Sequence, residues 1–151
     1  MKTAKKHISR LPHEILDNLQ KERYVNKRVK LLQDLDKDES FVLKTIIQCQ
    51  FLDRIQFDMP EGAPPYAPDT MPAGNQPTPI RKAITALLRC VKDYNAPQVK
   101  KEQTFINLLE SVHAKDAEIL IAMKDKKLHE TYSVLKEGLI RQAWPNLLPI
   151  K

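Results

Sequence analysis

Residues 57–83 read FDMPEGAPPYAPDTMPAGNQPTPIRKA. Seven of the chain's eleven prolines and two of its three glycines fall between Pro60 and Pro79, an interval without lysine. The sequence on either side is charged and helix-forming. As a mobile linker, this span would divide the 151 residues into two small helical units; as an ordered strap, it would tie them into one. Flexible linkers are rich in Gly and Ser. This span instead carries bulky anchors: Phe57, Met59, Tyr66 and Met71. Proline fixes φ and lowers the entropy lost on ordering, and tyrosine buries a large area while keeping one polar handle. The expectation is an ordered proline-rich strap over residues 57–79, laid across the helices. A mobile linker and a free peptide ligand are the alternatives, the second because Pro65 to Pro68 spells PxxP.

Outward from the strap, apolar residues recur at helical spacing. Pro12 suits a first helical position, with Ile15, Leu16 and Leu19 behind it. Val25, Val29 and Leu32 give a second stripe. Val42, Ile46 and Cys49 give a third, running to about Leu52, with Asp38 or Ser40 as its cap. After the strap, Thr78-Pro79 reads as N-cap and N1, and Ile80, Ile84, Leu87, Leu88 and Val91 form the cleanest stripe in the chain. Phe105, Leu108, Leu109 and Val112 follow. A break is expected at His113, then a helix through Ala117, Leu120, Ile121 and Met123, with Asp116 and Glu118 complementing its N-terminal dipole. A last helix is expected from about Thr131 to Ala143, stopped by Trp144-Pro145. No stretch alternates like a strand. The fold class is all-α: one compact domain over 1–151, of about seven helices, with the strap in the middle and a mobile basic segment at residues 1–10.

Hydrophobic residues make up 42% of the chain, enough for a core without disulfides or a metal. Cys49 and Cys90 form no CxxC pair, lie beside apolar stripes and have no cation placed to make a thiolate, so they read as reduced core thiols of a reducing compartment. No apolar run reaches the roughly 18 residues of a membrane span, and the start MKTAKKHISRLPHEIL lacks the apolar stretch of a secretion signal. Phosphate-cradling glycine loops and HExxH are absent. Glu110, His113 and Asp116 sit at i, i+3, i+6, but a break at His113 would make them diverge, so His113 reads as a capping or exposed residue. No cofactor, metal or enzyme activity is expected.

Net charge is +6, which favours an acidic partner. Residues 80–151 carry 13 positive and 8 negative side chains, a balance of +5, while residues 60–79 carry two acids and no base. Lys82, Arg89 and Lys92 are expected on one helix face away from the apolar stripe. Lys124, Lys126, Lys127 and His129 form a second cluster, and Lys2, Lys5, Lys6 and Arg10 a third. Such densities can neutralise phosphates; a solvated face that keeps the protein soluble is the plainer reading. No RRM or KH signature supports base-specific reading.

Three stretches together, FDMPEGAPPYAPDTMP, TFINLLESVHAKDAEILIAMKDKKL and LKEGLIRQAWPNLLP, resemble a family of small proteins, largely of unknown function, carried by T-even-type tailed bacteriophages and their cyanobacterial-phage relatives. The similarity runs from about Val29 to Pro149. EGAPPY and the LESVH…KDKKL block are its most specific parts, and the family's basic block maps to Lys124, Lys126 and Lys127. The family's histidine commonly precedes a proline, where this chain has Ala114. One T-even relative is labelled a modulator of mRNA metabolism linked to Rho-dependent termination. The resemblance implies a protein made in the cytoplasm of an infected bacterium. The expected function is therefore a non-enzymatic phage accessory protein that modulates transcription or mRNA metabolism by binding RNA or an RNA-handling complex. Lys82, Arg89, Lys92, Lys124, Lys126 and Lys127 would contact phosphate. The alternative is a protein-only inhibitor that docks on a host or defence enzyme through Tyr66, Pro64 and Pro65. No membrane partner is expected.

Overall fold

Pro12 opens helix α1 (Pro12–Lys21) in the computed structural model, which describes residues 10–149. Lys2, Lys5, Lys6 and His7 of the basic N-terminal segment lie outside the described residues. Proline fits there because its missing N–H would have no helical partner, and Glu14 Oε1 accepts the Leu11 N–H at 2.9 Å. Helices α2 (Val25–Gln33) and α3 (Lys37–Phe51) follow. The cap of α3 is Asp36 rather than Asp38 or Ser40. Asp36 accepts from the Glu39 N–H at 2.7 Å, and Glu39 Oε1 accepts from the Asp36 N–H at 3.0 Å. This reciprocal pair is legible as acid–x–x–Glu in DKDE.

After the strap come α4 (Ile80–Ala83), a 3₁₀ helix (Ile84–Arg89), α5 (Gln98–Ser111), α6 (Ala114–Lys124), α7 (Leu128–Thr131) and α8 (Glu137–Ala143). No strand is found among the described residues, and α4 and α7 are single turns. The count exceeds seven because the expected helix after Pro79 is divided and because a single turn, α7, precedes the last helix. The helix after Pro79 is capped by Pro79, not Thr78, and tightens after one turn. In 3₁₀ geometry i and i+3 align. Ile84, Leu87 and Cys90 therefore face the core, while Leu88 rotates out and is 62% exposed. The last helix starts at Glu137 rather than near Thr131, and side chains of α1 engage the segment before it. Gln20 accepts from the Val134 N–H and donates to Ser133 Oγ, and the Tyr132 hydroxyl bonds Asp17.

Helix α6 packs against α1, α3 and α5, α5 also packs on the 3₁₀ helix, and α2 packs on α8. One apolar core runs through all of these, with Leu16, Leu43, Ile47, Phe105, Leu109 and Leu120 fully buried. The stripe expected on α2 is mostly peripheral: Leu32 is buried, Val29 partly so, and Val25 exposed. At each end of α2 a side chain finds a distant or flanking carbonyl. Arg28 Nε donates to Glu22 O, and Gln33 Nε2 to Ala143 O on α8.

The strap crosses this body with anchors along its length. Phe57 is buried, pairs its backbone with Val91 and lies 6.4 Å from the Phe105 ring. Met59 and Tyr66 are partly buried against the core. Tyr66 is thus half-covered rather than fully enclosed, and burial raises its hydroxyl pKa. The Ala67 N–H donates to Glu110 at 2.8 Å, and Asp69 bridges to His113. Gln76 knots the following turn by donating to Asp69 Oδ2 and to the carbonyls of Met71 and Pro72.

Candidate nucleic-acid interface

The six sequence-predicted phosphate ligands fall into two groups with different surroundings. Lys82 and Arg89 are exposed, have no side-chain hydrogen bond or ion pair among the described residues, and line one groove of about 260 Å³. Its lining mixes polar groups, Thr85 from the 3₁₀ helix and Thr104, Asn107 and Ser111 from α5, with Ala83, Ala86 and Leu108. Two ammonium or guanidinium donors over hydroxyl and amide groups make a surface suited to a phosphodiester. Lys92 is also exposed but lies apart from that groove. It follows the 3₁₀ helix, and its backbone N–H is held by Gln56 O at 2.8 Å. The expected single row of three is thus a pair plus one, because 3₁₀ tightening removes the seven-residue stacking of an α-helix.

Lys124, Lys126 and Lys127 are not free cations. The Lys124 side chain is 2% exposed. Its Nζ donates to Pro60 O at 2.8 Å and Asp125 Oδ1 at 2.6 Å, and Asp125 Oδ2 accepts the Gly62 N–H at 2.9 Å. Lys127 pairs with Glu61. Lys126 adopts φ +60° just past the C-terminus of α6, where the Lys126 N–H bonds Met123 O and the Lys127 N–H bonds Ala122 O. This is a Schellman termination with lysine in the position glycine usually takes. The left-handed turn sends the Lys126 side chain across to α3, where Nζ donates to Cys49 O and Leu52 O. Cys49 O is among the last α3 carbonyls, which lack helical partners, while Leu52 O also accepts the Ile55 N–H at 3.1 Å. Burial lowers the Lys126 pKa. The KDKK run is therefore a clasp for the strap and a cap for α3: Lys124 and Lys126 have their ammonium groups committed to these partners, while Lys127 pairs with Glu61 on the surface.

A separate polar cluster lies where α1 meets α6. Asp116 is 1% exposed, and its Oδ1 accepts from both the backbone N–H and the Nδ1 of His13, each at 2.9 Å. The hydrogen bond to Asp116 raises the His13 pKa, against the opposing effect of burial. His13 stacks on His113 with ring centroids 4.4 Å apart. His113 Nδ1 in turn accepts from the Lys115 N–H and caps α6, as expected of a residue at that break. Asp116 Oδ2 is buried with no hydrogen-bond partner. Beside it, Arg10 donates through its backbone N–H and its Nε to Glu39 Oε2. Burial would push the Glu39 pKa up, but these bonds and that from Asp36 leave it below its ordinary value. Sequence reading placed Arg10 in a mobile basic segment and left His13 unassigned. The spacing between residues 13 and 116 gives no local signal of their contact.

Cys49 and Cys90 are buried free thiols, and burial pushes both pKa values up to about 11. Cys49 does have a cationic neighbour, Lys126, which opposes the rise, but the loss of solvent outweighs it. Among the described residues no cluster of three His, Cys, Asp or Glu side chains is arranged for a metal. Glu110 turns to the strap while Asp116 turns to α1. No described helix is long and apolar enough to cross a membrane.

A family described only as a family of unknown function matches residues 15–130. The chain belongs to that family, DUF6433. The match takes in the strap, the KDKK clasp and the Lys82/Arg89 groove, and stops before α8. No curated protein and no solved structure matches the chain.

Proposed function

We propose that this DUF6433 protein is a non-enzymatic accessory protein that binds RNA, alone or within an RNA-handling complex, and so modulates transcription or mRNA metabolism. The observation that carries the reading is the groove in which Lys82 and Arg89, without an ion pair among the described residues, stand beside Thr85, Thr104, Asn107 and Ser111. Unpaired cations keep their full attraction for phosphate, whereas paired ones must first give up a partner. Lys92 is a further exposed cation, apart from that groove. The phage setting and the cytoplasm of an infected bacterium rest on the resemblance of the strap and the LESVH…KDKKL block. Phosphate contact of this kind positions a strand and carries no sequence information of its own.

The test is a set of RNA titrations at several salt concentrations with wild type and a Lys82→Ala/Arg89→Ala variant. The variant should weaken binding of unrelated sequences about equally, and each lost contact should lower the salt slope by roughly 0.7. Unchanged affinity and slope would remove the groove from the interface.

A second reading has one observation in its favour. A groove of about 360 Å³ runs along the strap, with Met59, Pro64, Pro65 and Ile106 among its walls. Preset proline backbone beside apolar side chains suits docking on a protein surface, and the half-buried Tyr66 follows Pro65 in the chain. Binding through it would weaken far less with salt than phosphate binding does. Wild type that binds no RNA at low salt, yet captures a partner in a manner sensitive to Pro65→Ala, would favour this reading.

A further inference from the structure

We propose that the cavity beside His113 and Asp116 holds an amino-bearing nucleobase, presented by a strand or nucleotide whose phosphate lies in the Lys82/Arg89 groove. The inference rests on the RNA-binding reading above and names what that site recognises. The cavity measures about 280 Å³, near the lower end for ligand pockets. Its wall includes His113 and Asp116 from α6, Arg10 and Glu39 on one side, and Gln76 and Thr78 from the end of the strap. It adjoins the phosphate groove directly. Thr78 lines both, and Ser111 of the groove is followed in the chain by Val112 and His113 of the cavity. A base in one and its phosphate in the other are therefore neighbours along a single path.

Two features give the cavity its chemistry. Asp116 Oδ1 is already committed twice to His13, while Oδ2, itself shielded from water, has no hydrogen-bond partner among the described residues. A buried carboxylate oxygen left unpartnered costs free energy until an N–H or O–H reaches it. Beside it stands the His13–His113 stack, in which His113 is the more exposed ring. Stacking on a histidine face and an N–H to a carboxylate are two contacts by which single-stranded bases are held. Exocyclic amino groups of cytosine, adenine and guanine can donate to such an oxygen. Uracil's only ring N–H is flanked by two carbonyl oxygens, which a carboxylate repels. Preference for amino-bearing bases over uracil follows.

The experiment titrates wild type, Asp116→Asn and Lys82→Ala/Arg89→Ala with short oligo(C), oligo(A) and oligo(U) RNA. In parallel, the imidazole signals of His13 and His113 in wild type are followed by NMR as cytidine 5′-monophosphate or ribose 5-phosphate is added. The expected result is binding of oligo(C) and oligo(A) about tenfold tighter than oligo(U), within the discrimination one good base contact provides. Asp116→Asn should erase the preference while keeping affinity for oligo(U). Lys82→Ala/Arg89→Ala should weaken all three together and keep the preference. The cytidine nucleotide should move the imidazole signals and ribose 5-phosphate should not. That arm needs no variant, so it stands even if Asp116→Asn fails to fold. Nucleotide-induced shifts without any oligonucleotide preference would support the site and assign it to free nucleotides. Equal affinity for the three oligonucleotides with unmoved imidazole signals would overturn the cavity as a base site, leaving it to water, while the phosphate reading survives. No binding of any oligonucleotide at low salt would overturn both.

Discussion

Two clusters of three cations, Lys82/Arg89/Lys92 and Lys124/Lys126/Lys127, look equivalent along the sequence and are opposites in the fold. The first stands on the surface with its charges unspent. In the second, Lys124 and Lys126 bond three backbone carbonyls between them, and Lys124 and Lys127 each hold an acid. The difference lies in what each cluster faces. The 3₁₀ helix and α5 line the Lys82/Arg89 groove with hydroxyls, an amide and the apolar Ala86 and Leu108, none of them an acid. The end of α6 faces a strap whose prolines leave carbonyls without helical or sheet partners, and the end of α3, whose last carbonyls need donors. A lysine-free strap with two acids thus receives its positive partners from elsewhere. The proline span lies against the helical body, with Lys124 and Lys127 closing on it.

The comparison is broken most forcefully at Lys124. Lys124→Ala removes a buried ammonium and leaves Asp125 Oδ1 and Pro60 O without that donor. Loss of one partner from a buried pair costs about 3 kcal/mol. Urea unfolding should show that loss, and the Gly62 amide should exchange faster as the strap lifts. Unchanged stability with Gly62 still protected would mean that the clasp holds nothing.

Lys126 sharpens it, because backbone and side chain pull in opposite directions there. Lys126→Ala keeps the left-handed strain and loses the bonds to Cys49 O and Leu52 O, so it should cost about 2 kcal/mol. Lys126→Gly loses the same bonds but relieves the φ of +60°, and should be about 1 kcal/mol less damaging than alanine. Equal costs in thermal or denaturant unfolding would show that the turn is unstrained.

Much of the architecture was legible because it is local. The stripes of α1, α3, α5 and α6, proline at the first position of α1 and the break at His113 each follow from a few adjacent residues. The DKDE capping pair was equally local and was misread by two residues. What was not legible is pairwise and distant. Nothing near KDKK indicates that Pro60 O, Cys49 O and Leu52 O await it, and nothing near residue 13 points to residue 116. The 3₁₀ tightening after Ala83 also lay beyond a periodicity reading, since Ile80, Ile84, Leu87 and Leu88 fit an α-helix at least as well.

A smaller effect, outside both clusters, comes from the His13–Asp116 pair that joins α1 to α6. The folded-state pKa of His13 is raised above its ordinary 6.5, chiefly by the hydrogen bond to Asp116. A raised folded-state pKa means the folded protein binds the proton more tightly than the unfolded chain. Its stabilising contribution is therefore full below about 6.5 and is lost as pH rises through the folded value. Wild type should lose stability across that window relative to His13→Gln, which cannot titrate. Parallel pH profiles for the two proteins would show that the pair does not couple to protons.

The smallest effect on folding is the most informative about function. Lys82→Ala/Arg89→Ala/Lys92→Ala removes three exposed side chains with no side-chain hydrogen bond or ion pair among the described residues. Substitutions of that kind lie within about 0.5 kcal/mol each, so the unfolding midpoint should barely move. The matching triple at Lys124, Lys126 and Lys127 should be severely destabilised by the two preceding arguments. This asymmetry decides how any loss of RNA binding is to be read. In the first variant the fold is intact, and a weaker, less salt-sensitive association reports lost phosphate contacts. In the second, weaker binding reports a loosened strap as readily as a lost contact, so it assigns no ligand. Measuring both midpoints before either titration separates the two. A first variant that unfolds as readily as the second would mean that Lys82, Arg89 and Lys92 also hold the body together, and the contrast between the clusters would fail.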